Sequence, residues 1–411
     1  MTDLAVPAPS PAPTGTVPAL PDDPVVRLCA ELIAAPSANP PGDEEPVAAV
    51  VQDRLERAGF AVRRRYARPG RPNVLATLER GEGPHLILQA HLDTKPAAPP
   101  GADPVGWSSD PLVARIADGL LHGLGACDTK GGLAAMVVAA ERLARRDDWS
   151  GRLEVQGVAD EEDGSGLGAA FLLSEGLLTA DAAIVSEPTG CLPSAAQLGN
   201  AWAEVTVTTT GAHAGTPSRG QDAVEVARRF MAEVDALLTR MPTDPAFPHH
   251  PRLNVGHLAA PGHPGTLSSS CVLRCDVRVL PWQRHDSVME VYTRAASAVA
   301  DACPGSALTV RPYQGGGCES HAVADDHPLV RAFDRASADR SGERCSFAGG
   351  SDARFFARAG TPAVVHGPGH LDQAHAPDEY VPVGHLVLAA DQLEAVAVGF
   401  LQSVDRRRAG R

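Results

Sequence analysis

The sequence predicts an α/β protein, in which a mostly parallel sheet with helices on both faces is interrupted by a smaller α+β unit. Three observations lead there. Short apolar runs such as His85-Leu-Ile-Leu-Gln-Ala90 and Ala182-Ala-Ile-Val185 have the length and composition of strands buried on both faces. Stretches of helical period alternate with them, Gly131 to Arg145 being the clearest. Near residue 196 the pattern changes to alternation, and Ala203-Glu-Val-Thr-Val-Thr-Thr-Thr210 reads as a strand with one solvated face.

At 411 residues the chain exceeds the size at which one hydrophobic core stops growing, so two domains are expected. Residues 1–21 are rich in Pro and Ala, with neither a basic start nor a continuous apolar stretch, and read as a disordered arm rather than a signal peptide. Val25 to Ile33 and Val47 to Leu55 carry a helical period, broken by Pro36 and the Pro40-Pro41-Gly42 turn. Ala61 to Ala67, Asn73 to Leu78 and His85 to Ala90 read as strands, and the glycines opening the Gly131–Arg145 helix allow a tight approach. The insertion, expected over 196–307, continues with a helix from Asp222 to Leu238, strands at Arg252–Leu258 and Val272–Leu280, and a helix from Ser287 to Ala302. The α/β part, 22–195, then resumes over 308–411, with a helix at His327–Arg340, a strand at Pro362–His366 and a final helix at Val387–Phe400.

A net charge of −14 and no extended Lys/Arg block argue against nucleic acid or an anionic membrane as partner. No run approaches the length of a transmembrane helix, and a cytoplasmic location is expected. The eight cysteines lack a Cys-x-x-Cys pair, and their irregular spacing favours reduced thiols. Cys271 and Cys275 fall on one face of a strand. The only two lysines, Lys95 and Lys130, each follow an aspartate by two residues. For Lys130 the position suggests pairing with a carboxylate; Lys95 carries no assignment.

Chemistry gathers where the apolar runs stop. His91-Leu-Asp93 closes one run, Asp160-Glu161-Glu162-Asp163 another and Ser186-Glu187 a third, with Asp128 and His375 elsewhere along the chain. In open α/β sheets ligands bind outside the carboxyl ends of the strands, so these side chains can converge in one crevice. Several carboxylates there would repel one another, and a divalent cation is the simplest way to neutralise them. Of His91 and Asp93, one can ligate while the other orients it. In a strand Glu161 and Glu162 point to opposite sides, so one can bind metal while the other serves as general base.

Together, His91-Leu-Asp93-Thr94, Gly125-Ala-Cys-Asp128-Thr-Lys130-Gly-Gly132, Asp160 to Gly164, Glu187-Pro-Thr189, Gly350-Ser-Asp352-Ala-Arg354 and Ala374 to Glu379 resemble the zinc aminoacylase and carboxypeptidase family over about residues 25 to 405. Trp107 to Pro111 and Gly211 to Ser218 also fit its pattern. Thr129 and Lys95 depart from it, since Met and an apolar residue are common at those places.

The resemblance implies two divalent cations, Zn²⁺ with Co²⁺ or Mn²⁺ as substitutes, bridged by Asp128. His91 and Glu187 complete one ion; Glu162 and His375 complete the other. Glu161 is implied as general base, Asp93 as the residue orienting His91, and His213 as an oxyanion donor from across a homodimer interface. Asn254 and Arg278 match positions that hold a substrate carboxylate, with Gly349, Gly350 and Ser351 lining the pocket. The expected activity is removal of an acyl group from a small N-acyl amino acid or related carboxylate-bearing amine. A dipeptidase or carboxypeptidase on the same scaffold is the alternative, and a non-catalytic metal-dependent binding protein is the alternative of a different class.

Overall fold

The computed structural model describes residues 21–99, 101–217, 220–243, 247, 249–336 and 343–403; the expected arm over 1–21 lies, but for Pro21, outside them. A six-stranded sheet runs in the order Ala61–Arg68, Arg71–Arg80, Gly151–Val158, His85–His91, Ala182–Val185, Ala363–Val365. The last four strands are mutually parallel and only Arg71–Arg80 runs against the other five, so the sheet is mostly parallel, as predicted.

Both of its faces are covered. Leu86, Leu88 and Ala90 belong to one core with the helices Pro24–Ala34, Lys130–Ala144 and Val383–Ser403. Ile87, pointing the other way, joins Leu172, Phe355 and Phe356 in a second core. The first helix starts where it does because Asp23 accepts the Val25 N–H at 2.9 Å and Pro24 opens the first turn. The Val383–Ser403 helix is long and apolar enough to span a membrane by composition alone. Leu386, Ala389, Leu393, Val396 and Phe400 are buried in the first core, so it is a core helix here.

A separate antiparallel sheet has the order Leu253–Ala259, Ser270–Val279, Gly199–Thr208, Ala307–Cys318. The helices Ala223–Leu238 and His285–Ala302 cover one of its faces in a third core that includes Cys271 and Cys275. Its last strand starts where the sequence reads a return to α/β character. The strand's period of two holds only over Ala307–Arg311, with Leu308 and Val310 facing in, because the register breaks between Pro312 and Gly317. A small sheet of Arg115–Ala117, Leu120–His122 and Tyr380–Pro382 also went unpredicted, since three-residue strands are too short to show a period. All eight cysteines are free thiols.

Candidate metal centre

In the sheet His91 lies beside Val158, and Gln89 beside Val185, so three adjacent parallel strands end side by side. The residues just beyond those ends therefore meet. Asp128 arrives from the turn before the Lys130–Ala144 helix, across a cis Asp128–Thr129 peptide, and His375 from the segment after the Leu371–Gln373 turn.

Two groups of ligand atoms result, each with all its members within 4.8 Å of one another: His91, Asp128 and Glu187, and Asp128, Glu162 and His375. Asp128 belongs to both. His91 Nε2 stands 3.0 Å from Asp128 Oδ1, while His375 Nε2 stands 3.4 Å from Asp128 Oδ2 and 3.0 Å from Glu162 Oε2. The two oxygens of one carboxylate thus face different histidines.

Glu161 and Glu162 do not lie on a strand. They open a tight turn, Glu161–Asp163, entered through Asp160 at φ 69°, so pleating does not separate them. Asp93 gathers them instead, its carboxylate accepting the N–H of Glu161 and of Glu162 at 3.2 Å each. Towards His91 the nearer oxygen of Asp93 is its backbone carbonyl, 2.9 Å from Nδ1, with carboxylate Oδ1 at 3.6 Å. Both nitrogens of His91 therefore have oriented neighbours, the usual arrangement for a ligating imidazole.

The electrostatics are those of ligands competing for protons. Burial disfavours the His91 imidazolium, but the Asp128 and Asp93 carboxylates outweigh it and hold its pKa well above the ordinary histidine value. Hydrogen bonds to Asp128 and Glu162 lift His375 to about 10. Burial would raise Asp128, yet the two histidines hold it well below the usual carboxylate range. Burial pushes Glu161 up to about 8, and burial with the charges of Asp128 and Glu161 pushes Glu187 well up. Two imidazoles and three carboxylates, in two three-membered groups sharing Asp128, are a donor set that fits Zn²⁺ and its first-row neighbours. A cation would also neutralise the buried Glu187 carboxylate.

A cleft of 510 Å³ opens beside the cluster, lined by Glu161, Glu162, Asn200, Trp202, Gly350 and Arg354 among others. Gly349 packs towards Phe347, and Ser351 is fully buried, its hydroxyl donating to Gln197 Oε1. Arg278, paired with Asp276 at 3.2 Å, lies on the strand beyond, and Asn254 sits opposite Asp276 on the edge strand; neither lines this cleft. His213 is exposed on the two-residue strand Ala212–His213, its Nδ1 accepting the Gly215 N–H. The geometry thus brings His91, Asp93, Asp128, Glu161, Glu162, Glu187 and His375 together and leaves His213 and Asn254 apart, while Arg278 reaches the edge of the cleft, donating to the Ala348 carbonyl at 3.4 Å beside Gly349.

Several supporting residues gain their roles only in the structure. Glu379, buried, accepts the N–H groups of Gly125, Cys127 and Asp128, and its place in the Ala374–Glu379 motif was the available signal. Lys130 is fully buried and donates to the Ala35 carbonyl at 2.8 Å, so it ties two segments together rather than pairing with a carboxylate. Lys95 faces Glu162, with Nζ 3.6 Å from Oε2 and its own N–H donating to Oε1 at 3.2 Å.

Comparison with known proteins places these features in context. The model of Peptidase family M20/M25/M40 matches residues 87–398. The acetylornithine deacetylase of Proteus mirabilis is 28% identical over 376 residues, covering 88% of this chain and 92% of its own. Among solved structures, aminopeptidase PepT from Bacillus cereus superposes with a TM-score of 0.74 at 20% identity, covering 93% of this chain and 99% of its own. The Bacillus subtilis YXEP protein, described as a dinuclear metal binding peptidase of the M20 family, superposes with a TM-score of 0.68 at 16% identity, covering 92% and 98%.

Proposed function

The chain belongs to Peptidase family M20/M25/M40, and from that premise we propose that it is a dimetal hydrolase that cleaves the amide bond of a small N-acyl amino acid or related carboxylate-bearing amine. The observation that carries this reading is the sharing of Asp128 by the two ligand groups. His91, Asp128 and Glu187 would hold one divalent cation and Asp128, Glu162 and His375 the other, with zinc as the metal best suited to these donors. When bound, the pair supplies Lewis acidity, polarising the scissile carbonyl and lowering the pKa of a water.

The chain's own residues do the rest. Glu161 takes the proton of the attacking water and returns it to the departing amine. Asp93 holds the backbone of the turn that presents Glu161 and Glu162. The oxyanion is stabilised by His213 of a partner subunit, so the active form is a homodimer; the exposure of His213 away from the cleft is consistent with a role towards another chain. In the same reading 22–195 and 319–403 form the catalytic domain, and the inserted unit, carried past the expected end at 307 by its last strand Ala307–Cys318, is the dimerisation unit, in a cytoplasmic enzyme. Asn254, Arg278, Gly349, Gly350 and Ser351 define the substrate side, the arginine through its bidentate fork for a carboxylate. Support for an N-acyl substrate comes from the acetylornithine deacetylase likeness, which spans most of both chains.

The test is release of free amine from N-acetyl and N-succinyl amino acids and from dipeptides, using chelator-stripped protein reloaded with zinc or cobalt. Cleavage of acyl-amino acids only after reloading is the expected result. Cleavage of dipeptides alone would replace the deacylase with a peptidase, and no cleavage by fully loaded protein would remove the enzymatic reading.

A further inference from the structure

We infer that the loop Ser37–Gly42 is a positioning device for the turn carrying Glu161 and Glu162, acting through the Asn39 amide and the Arg71 guanidinium. The loop is docked on the strand end that bears His91 and Asp93. Asn39 N–H donates to the Thr94 carbonyl at 2.8 Å, and Thr94 N–H donates back to Ser37 at 3.1 Å, a short parallel bridge. Docking sets the Asn39 side chain, 2% exposed, between two buried carboxylates.

One amide nitrogen serves both. Asn39 Nδ2 donates to Asp93 Oδ2 at 2.8 Å and to Asp160 Oδ1 at 3.2 Å. Asp93 is the group that holds the N–H of Glu161 and Glu162, and Asp160 is the left-handed residue that opens their turn. Asp160 is closed at its other oxygen by the Leu167 N–H at 3.1 Å. Without a shared donor the two carboxylates would face each other in a low-dielectric site, where repulsion is strong.

Arg71 completes the arrangement from the other side. Its Nη2 donates to Asp160 Oδ1 at 3.0 Å, while Nε lies 2.7 and 2.9 Å from the two oxygens of Glu44, itself fully buried. The loop makes room for that guanidinium at Gly42, φ 80°, where a Cβ would stand 2.4 Å from Arg71 Cζ. Glu44, Arg71, Asp160, Asn39 and Asp93 thus form an unbroken buried chain ending on the two peptide N–H groups of the Glu161–Glu162 turn. Asn39 and Arg71 lie outside both ligand groups, so their effect on the cations is exerted through the turn. The inference rests on the roles proposed above for Glu161 and Glu162.

Its test is a cobalt(II) titration of chelator-stripped, full-length protein followed by visible absorption, run beside the amide-hydrolysis panel and thermal unfolding. Asn39→Leu keeps the size of the side chain and removes both donors. The expected result is a folded protein whose first cobalt binds as in the parent, whose second binds about 10- to 100-fold more weakly with an altered spectrum, and whose kcat falls by a similar factor at nearly constant KM. A folded Asn39→Leu with the parent's titration, spectrum and kcat overturns the inference, even if its melting temperature drops. Should Asn39→Leu fail to fold, Arg71→Lys, which keeps a charge for Glu44 but loses the fork that also reaches Asp160, is read by the same two results. Glu162→Ala is the control: if it still binds two cobalt ions like the parent, the ligand assignment itself has failed, independently of the loop.

Discussion

The Glu379 carboxylate accepts the backbone N–H of Asp128 at 2.9 Å, binding the candidate bridging ligand through its main chain rather than its side chain. The same carboxylate accepts Cys127 and Gly125 at 2.8 Å each, and it is 3% exposed. One buried side chain therefore sets the turn from which both ligand groups draw a member. Glu379→Gln would turn an NH₂ towards at least one of those donors. We expect a loss of about 1.5–3 kcal/mol in unfolding free energy, the worth of a hydrogen bond to a charged group. Affinity for both cations should fall about 10- to 100-fold, measured by zinc titration against a competing chelator. Unchanged zinc affinity in a destabilised variant would confine Glu379 to holding the loop.

Glu161→Gln is expected to lower kcat by about 10²–10⁴-fold, the usual range for losing a general base. Metal analysis should still find the parent zinc content, because Glu161 belongs to neither ligand group. Near-normal turnover would take the proton-transfer role away from it.

Cation uptake should release protons. His375 is lifted to about 10, so it holds its proton at pH 7.5 and must lose it to ligate. Zinc affinity should then rise with pH and fall towards acid. Calorimetry at pH 7.5 in buffers of different ionisation heat should show at least roughly one proton released per chain; buffer-independent heats would contradict the ligand assignment.

Lys130 offers a stability test away from turnover. Burial depresses its pKa from 10.5 to about 8, so between those values the unfolded chain binds more protons than the folded one. Stability contributed at this site should therefore rise as pH climbs from about 8 to 10.5. Denaturant unfolding of the parent and of Lys130→Met over that window should show the parent gaining on the variant, and parallel curves would contradict the shift.

At Gly132 a Cβ would stand 1.7 Å from Ser186 Oγ, next to Glu187. Gly132→Ala is expected to cost about 1–3 kcal/mol by overpacking and to weaken cation binding through Glu187. Adding Ser186→Gly should restore much of both; a double variant no better than the single would place the cost elsewhere.

By itself the sequence determined the frame and the residue types of the centre. The runs at 85–90 and 182–185 are largely apolar because both faces of a covered parallel strand are buried, and their ends, with that of 153–158, mark where His91, Asp93, Glu161, Glu162 and Glu187 leave the sheet. Tertiary structure alone decided how those residues are held. Pleating suggested that Glu161 and Glu162 part company, whereas a turn anchored on Asp93 presents them together. Asn39 meets Asp93 across 54 residues, Arg71 meets Asp160 across 89, and Glu379 meets Asp128 across 251. Apolar burial repeats along the chain with the period of its own element and so can be read locally. A buried polar side chain must find its partner wherever two distant segments meet, and no local period records that meeting.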